Sequence, residues 1–423
     1  MADQLTTGWT DLLYELRGPL VSAYPVGRVL LAELERDTSR KNFSGNQVRV
    51  PIFAAPLQGA HMLAEGGNVT QPQVDDTSQA HITMAHSALP VGISPELMKQ
   101  TEDNAAAKAL ASKVKRAREA MARTANEQLN GNGNALIVAI TSAAGSPGLT
   151  ITVTGNGGPR RQLYKGRIVD VLTTAPYTDS GAGLKRKIAS VTLSADGTVA
   201  TVVFSTTGFG GGSGSIIWTA SSGIYIADSN PTGASVSNAC QGVQQIGATT
   251  GTFEFIDKAA NEWWQGIDGR NGAVTAADPD LGILDAGILY LGERTDLEAV
   301  DFIVGDPAVI LLYQSSFYNQ MRFAPQRGTL DTGFEGPTYD GMVMIGDFDH
   351  QRGALTGITK ESLQMYAYTK GPDWDELTGS MFQRFGSGTV RSRDVEAWLV
   401  DDYQLGAHEC RTMVRWANLN RAS

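Results

Sequence analysis

Alternation and helical spacing divide this chain into elements before any composition is counted. Gln47-Val48-Arg49-Val50-Pro51-Ile52-Phe53 alternates polar and apolar side chains, and so does Gln79-Ala80-His81-Ile82-Thr83-Met84-Ala85-His86. A period of two puts alternate side chains on one face, so both segments predict half-buried strands, the second continuing to Val91. His81 and His86 then lie on opposite faces of one strand. Between the strands runs a polar, Gly/Pro/Asn-rich stretch from Pro56 to Ser78. It is too long for an ordinary hairpin turn, and loops of that size are usually functional or held by something else. A lone two-stranded ribbon is barely stable in water, so this one needs a surface: the body of the same chain or a neighbouring copy.

The pattern then changes period. Ser94-Pro95-Glu96 is a helix start, with Ser as N-cap and Pro at the first helical position. Apolar residues recur at helical spacing through Leu110, Val114, Ala117, Met121, Ala125 and Leu129, and Asn130-Gly131 supplies the stop. A helix of about 35 residues would span roughly 50 Å. Its narrow, Ala-rich stripe predicts a helix lying across a sheet with its other faces polar. Upstream, residues 1–45 read as an arm: a short helix over Gly8–Gly18, interruptions at Pro19 and Pro25, and a loosely amphipathic Arg28–Arg36.

From Gly148 to about Asn230 charged residues thin out and Thr, Val, Ser and Gly dominate. Short strands are legible at Thr150–Thr154, Arg167–Thr173, Lys187–Leu193, Val199–Ser205, Ile216–Thr219 and Ile224–Ala227, with Ala195-Asp196-Gly197 as a hairpin turn. That spacing predicts a small all-β barrel or sandwich. Beyond it come a turn-rich Asn261–Gly272, an amphipathic helix over Asp280–Arg294, a buried strand over Asp301–Pro307 and a helix over Pro307–Met321. The tail carries strand-like runs at Leu363–Tyr368, Val395–Val400 and Glu409–Ala417.

Composition narrows the class. The chain has 423 residues, 42% of them apolar and 18% charged, so it can bury a core. The 48 glycines favour turns and hairpins over a helical bundle. A formal charge of −10 argues against a protein whose main task is gripping nucleic acid. Cys240 and Cys410 form no CxxC pair, which points to a reduced compartment and away from structural zinc. The first twenty residues do not read as a signal peptide, and no apolar run is long enough for a membrane span.

Signatures of chemistry are sparse. The five histidines include no HExxH pair. Gly208–Gly214 lacks the Lys-Ser/Thr of a phosphate loop and precedes a strand, so it reads as a hairpin tip. Asp347 and Asp349, flanking Phe348 beside His350, could be drawn as an acid–base or metal pair; they fit a turn at a strand end as well. Trp263-Trp264 could be a sugar-stacking platform, although adjacent aromatics more often split between core and interface. Lys113-Val114-Lys115-Arg116-Ala117-Arg118 is the one basic cluster, facing DNA, an acidic neighbour or only solvent.

This order of parts resembles the major capsid proteins of tailed phages, with the Hong Kong ninety-seven fold. Phe43 to Pro90 looks like the family's extended E-loop, and Ser94 to Leu129 like its spine helix. Gln128-Leu129-Asn130-Gly131-Asn132-Gly133 is similar to the sequence that usually follows that helix. Trp263-Trp264, Asp268-Gly269 and Phe302-Ile303-Val304-Gly305-Asp306-Pro307-Ala308-Val309 look like the axial domain, and Gly333-Phe334-Glu335, Tyr339 to Met344 and Asp347 like its closing part.

The resemblance implies an α+β chain divided into an N-terminal arm (1–45), an E-loop (46–93) and a peripheral domain with the spine helix (94–147). An inserted β-domain (148–230), an axial domain (231–350) and a return to the axial and peripheral domains (351–423) follow. It implies a structural protein with no catalytic residues, cofactor or metal, and a homo-oligomer of hexamers and pentamers. Portal and decoration proteins are further partners. The arm is too short for a long scaffolding domain, so a separate scaffolding protein, or none, is expected. DNA contact would be loose and non-specific, with no membrane, in a virion assembled in the host cytoplasm. Inter-subunit contacts would fall at Arg49, Phe53, His61, Glu65, His81, Tyr339 and Asp347. Lys41 and Lys99 give no licence to carry over the Lys–Asn cross-links of some relatives. Three other readings stand beside it: an encapsulin-type nanocompartment, a carbohydrate-binding surface protein using Trp263-Trp264, and a hydrolase using Asp347 and Asp349.

Overall fold

The thirteen-residue strand Val395–Ala407 is the spine of one sheet. Its odd-numbered residues Ala397, Leu399, Tyr403, Leu405 and Ala407 are buried, as a period of two requires. The one charged residue on that face, Asp401, is buried too, and Arg36 holds it with two hydrogen bonds of 2.7 and 3.0 Å. Ala85–Ile93, Leu363–Ala367, Asp373–Trp374 and Phe382–Arg384 all pair antiparallel with this strand, and Arg36–Asp37 adds in parallel to Leu363–Ala367. A computed structural model describes residues 28–34, 36–39, 43–44, 47–53, 77–93, 105–140, 149–154, 162–173, 177–178, 184–193, 199–205, 216, 222–230, 237–295, 299–318, 327–330, 332–375, 382–384 and 395–422.

The ribbon is present, but its return strand breaks. Gln47–Phe53 pairs antiparallel with Thr77–Thr83 over seven residues, while Ala85–Ile93 leaves for the Val395–Ala407 sheet. His81 and His86 therefore sit on different strands, not on opposite faces of one. Met84, at the break, is buried. Val48, Val50, Ile52, Ala80 and Ile82 line the ribbon's buried face and belong to the largest apolar cluster of the body. The surface that the ribbon's base needs is thus its own chain.

Ala105–Leu129 forms a 25-residue helix, with residues 94–104 outside the described ones. Val114, Ala117, Met121, Ala122, Ala125 and Leu129 are buried in the same cluster, so the stripe packs as its spacing predicts. A second sheet of six strands runs in the order Leu136–Ala139, Ser222–Ile226, Ile168–Thr173, Arg186–Leu193, Val199–Phe204, Thr150–Thr154. Arg186–Leu193 pairs with Ile168–Thr173 through only two residues, and with Val199–Phe204 through most of its length. The sheet thereby folds into two halves that share one apolar core, from Ile137 and Val171 to Val153 and Val202. Of Ile216–Thr219 only Ile216 is described.

A third, mixed sheet of seven strands centres on Phe302–Gly305, all four residues buried. Helices Leu281–Thr295 and Pro307–Tyr318 lie against it. Trp416 is fully buried here, and its indole N–H donates to Ile283 O at 3.1 Å. Two glycines make room for that ring: a Cβ on Gly287 would come within 2.3 Å of it, and one on Gly269 within 2.5 Å. Gly287 lies mid-helix, where alanine normally gains about 1 kcal/mol. Overpacking against Trp416 should reverse that sign, with Gly287→Ala costing about 1–3 kcal/mol in chemical denaturation. A stabilised variant would contradict this packing.

Candidate functional site

The last turn of the long helix is where the parts meet. Successive residues on a helix point about 100° apart, so a run of four faces every side. Asn126 is buried and its amide N–H groups reach both buried carboxylates, Asp347 at 3.0 Å and Asp349 at 2.8 Å. Glu127 is buried facing the β-unit, where Arg167 grips it through two hydrogen bonds of 3.2 and 2.6 Å. Burial pushes the Glu127 carboxyl up from its ordinary pKa, with Arg167 opposing. Gln128 Oε1 accepts from Tyr403 Oη at 3.1 Å and from the backbone N–H of Cys240 at 3.3 Å. Asn130 donates to Asp347 at 3.2 Å. Three sheets are thus tied to one helix end.

The glycines that follow fit the same junction. The carbonyls of Asn130 and Gly131 accept from Gln244 Nε2 (2.5 Å) and Gln244 N (3.2 Å). Gly133 has φ +80°, and a Cβ there would strike Gln245. The Gln128–Gly133 motif is therefore a packing and capping device.

A second junction anchors the ribbon. The hairpin Thr252–Phe253 and Ile256–Asp257 turns through Glu254 and Phe255, both at positive φ, as a tight two-residue turn requires. Neither is glycine, so tertiary contacts must hold them. Glu254 is fully buried; its carboxylate accepts from Ala407 N at 2.9 Å and its carbonyl from His81 N at 3.2 Å. The exposed Phe255 ring meets the His81 ring edge-on at 6.1 Å. Beneath, Lys258 donates to the carbonyls of Gln245, Ile246 and Ala248 at 2.8, 2.5 and 2.9 Å. Burial pushes Glu254 up to about 8 and Lys258 down to about 8.

The residues singled out for inter-subunit contact are scattered. Arg49 is exposed on the ribbon, and His81 is half-buried in the anchor just described. Phe53 ends its strand opposite Thr77. Tyr339 is buried and donates to Asp285, and Asp347 is buried against the long helix. His61, Glu65, Lys41, Lys99 and the Gly208–Gly214 run lie outside the described residues.

Asp347 and Asp349 sit in a turn after the strand Met342–Gly346, facing helix amides. Trp264 is fully buried and its indole N–H donates to Phe253 O at 3.2 Å. Trp263 is partly buried against the core, which leaves no pair of exposed rings for a sugar to stack on. Both cysteines are buried and free. Among the described residues no group of three His, Cys, Asp or Glu is arranged to hold a metal ion, and no helix is long and apolar enough to cross a membrane.

As a whole, this mixed α+β fold is similar to that of phage capsids. The cyanophage A-1(L) capsid asymmetric unit superposes with a TM-score of 0.51 at 10% identity, covering 92% of each chain. The holo-SrpI encapsulin complex of Synechococcus elongatus PCC 7942 gives 0.42 at 8% identity over 93% of this chain and 88% of that one. Mycobacterium phage Bobi gives 0.42 at 8% over 93% and 91%. In sequence, no protein-family model and no curated protein matches the chain.

Two outcomes test this site. Asn126→Leu strips donors from two buried carboxylates and should cost about 2–4 kcal/mol in denaturant unfolding; a loss under about 1 kcal/mol would remove the network from its structural role. His350 is buried, with Nε2 3.1 Å from Thr356 Oγ1, and burial pushes it down to about 4. The unfolded chain then takes the proton first, so this contribution is whole above pH 6.5 and is lost as pH falls toward 4. The loss is about 3 kcal/mol. Glu254, shifted upward, acts oppositely, its contribution falling as pH rises from about 4.5 to 8. Comparing wild type with His350→Gln isolates the histidine: the variant's stability should fall less steeply on acidification.

Proposed function

We propose that this chain is the major capsid protein of a tailed double-stranded-DNA bacteriophage, a structural subunit that builds the icosahedral head shell. The observation carrying this reading is the capsid fold itself, shared over 92% of the chain with the cyanophage subunit. In this reading the ribbon is the E-loop, Ala105–Leu129 the spine helix, the six-stranded β-unit an inserted domain, and the seven-stranded sheet the core of the axial domain. The Val395–Ala407 sheet is then the peripheral one.

The work is mechanical. Hexamers and pentamers tile a closed shell, and holding power comes from summed interface area, as in obligate assemblies that bury thousands of Å². Arg49, exposed on the ribbon, is the contact residue best placed to meet a neighbour. A formal charge of −10 suits confinement, because the genome is enclosed without being glued to the wall. The shell would assemble in the host cytoplasm and serve in the virion, with scaffolding, portal and decoration proteins as partners.

Negative-stain imaging of the expressed chain should show closed particles. Deleting His61 to Val74 should leave a folded subunit, with the circular-dichroism spectrum of the parent, that fails to close shells. Normal particles from that deletion would remove the ribbon from assembly. Nuclease-protected DNA in phage-derived particles separates this reading from an encapsulin-type compartment, which shares the fold and differs in contents.

A further inference from the structure

Strand Ala85–Ile93 closes one side of the Val395–Ala407 sheet. Its only strand partner among the described residues is Val395–Ala407, so its second side is a sheet edge. The far side of the long strand fixes which residues face that edge. Trp398 O and Asp402 O accept from Asp375 N and Tyr368 N, away from Ala85–Ile93. In an antiparallel pair a residue's N–H and C=O point the same way, and a residue facing away stands opposite one that also faces away. Trp398 stands opposite Pro90 and Asp402 opposite His86. His86, Ala88, Pro90 and Gly92 therefore turn their backbone groups outward, and all are exposed. Pro90 fits that parity, since a residue without an N–H is tolerated on an edge strand where it faces out.

The open stretch is short and bounded at both ends. Before His86 the chain departs at the buried Met84 toward the ribbon. After Pro90, Lys113 reaches over from the long helix and donates to Gly92 O at 3.0 Å. His86, Ala88 and Pro90 remain as the open positions, with the smallest side chain in the middle. Natural edge strands are commonly blunted by charged side chains, yet Ala85–Ile93 contains no Asp, Glu, Lys or Arg. Asp402, opposite His86 on the neighbouring strand, is held by His86 Nδ1 at 2.9 Å. In a chain of formal charge −10, this is a stretch where two copies approach with little charge repulsion. It offers no charged side chain by which an unlike partner would be selected.

We propose that this edge pairs, antiparallel and about a two-fold axis at Ala88, with the same edge of a second copy of this chain. The proposal rests on the assembly reading above and names one contact within it. The register centred on Ala88 keeps every open position of each copy opposite an open position of the other. Ala88 faces its equivalent, and the two exchange a pair of N–H···O bonds. His86 faces Pro90 of the second copy, and its N–H donates to that prolyl carbonyl; the two-fold repeats the bond. The missing N–H of Pro90 then leaves the His86 carbonyl alone without a new donor. So short a pairing is weak in isolation and gains strength by repetition around an assembly.

The test uses the full chain with Ala88→Cys, at an exposed position, and with Gly92→Cys, where a new Cβ meets nothing within 4 Å. Cys240 and Cys410 are buried, so the introduced thiol is the one a mild oxidant reaches. Directly opposed residues of this kind have Cα atoms about 5.5 Å apart, within disulfide reach. Gly92 and its equivalent would be eight residues apart along the strands, about 27 Å. Non-reducing gels of assembled particles should show disulfide-linked dimers for Ala88→Cys, about tenfold more than for Gly92→Cys. In wild type, hydrogen exchange at the His86 and Ala88 N–H groups should be about tenfold slower in particles than in dilute, unassembled chain. Particles that form normally but cross-link equally in the two variants would overturn the proposal and leave the assembly reading standing. Protection of His86 and Ala88 already present in the unassembled chain would overturn it as well, making a segment of the same chain the occupant. Dimers linked through Ala88→Cys, from a chain that never builds particles, would sink the assembly reading and keep the edge contact.

Discussion

Everything in this fold hangs on the end of one helix. Asn126, Glu127 and Gln128 each reach a different neighbour, namely the turn after Met342–Gly346, the β-unit and the Val395–Ala407 strand, and Asn130 reaches Asp347 in the first of these again. A helix end surrounded on all sides cannot have an amphipathic pattern, because it has no solvent face left. Polar groups there are buried and must find partners, and each partner found fixes the position of another sheet. The constraint runs both ways. Amides arriving from the helix help to satisfy Asp347 and Asp349 inside the body, and Arg167 arriving from the β-unit does the same for Glu127.

A junction made of directional bonds also behaves differently from one made of oil. Apolar contacts slide with small losses, whereas a two-bond Arg–Glu fork or an amide between two carboxylates has one good geometry. The apolar stripe from Val114 to Leu129 supplies attraction, and the polar residues between its last members set register. The same division recurs at Asp401, the lone charge on the buried face of its strand, fixed by Arg36. In both places a charge in the interior locates a partner far away in sequence.

This division explains what could be read from the sequence. The helical stripe, the strands Thr150–Thr154 and Val199–Phe204, and the buried Phe302–Gly305 follow from period and composition, which are local. The Val395 strand reads as ending at Val400, because Asp401-Asp402 looks like a terminator; pairing with Leu363–Ala367 carries it on to Ala407. The strand from Gln79 reads as continuous because Met84 preserves the alternation, yet its two halves pair with different sheets. Asp347 and Asp349 invite an acid–base reading, since nothing nearby announces Asn126, more than two hundred positions upstream. The split of Trp263 and Trp264 was open to general reasoning, and Trp264 took the core. Tertiary partners were what local pattern lacked.

The ribbon brings these strands of argument together. Its base is packed on its own chain through Val48, Val50 and Ile82, and its return strand is pinned where His81 N meets the strained Glu254–Phe255 turn. Residues 54–76 therefore depart from and return to a fixed pair, Phe53 and Thr77. Association costs free energy for every degree of freedom it removes, and a limb anchored at its root has fewer to remove. The root is aimed by the pairing of Gln47–Phe53 with Thr77–Thr83. A strained turn of two non-glycine residues is a reasonable structural cost for that aim, because the error of a lever grows with distance from its pivot. The anchor thus fixes the direction of the ribbon through contacts made within one chain.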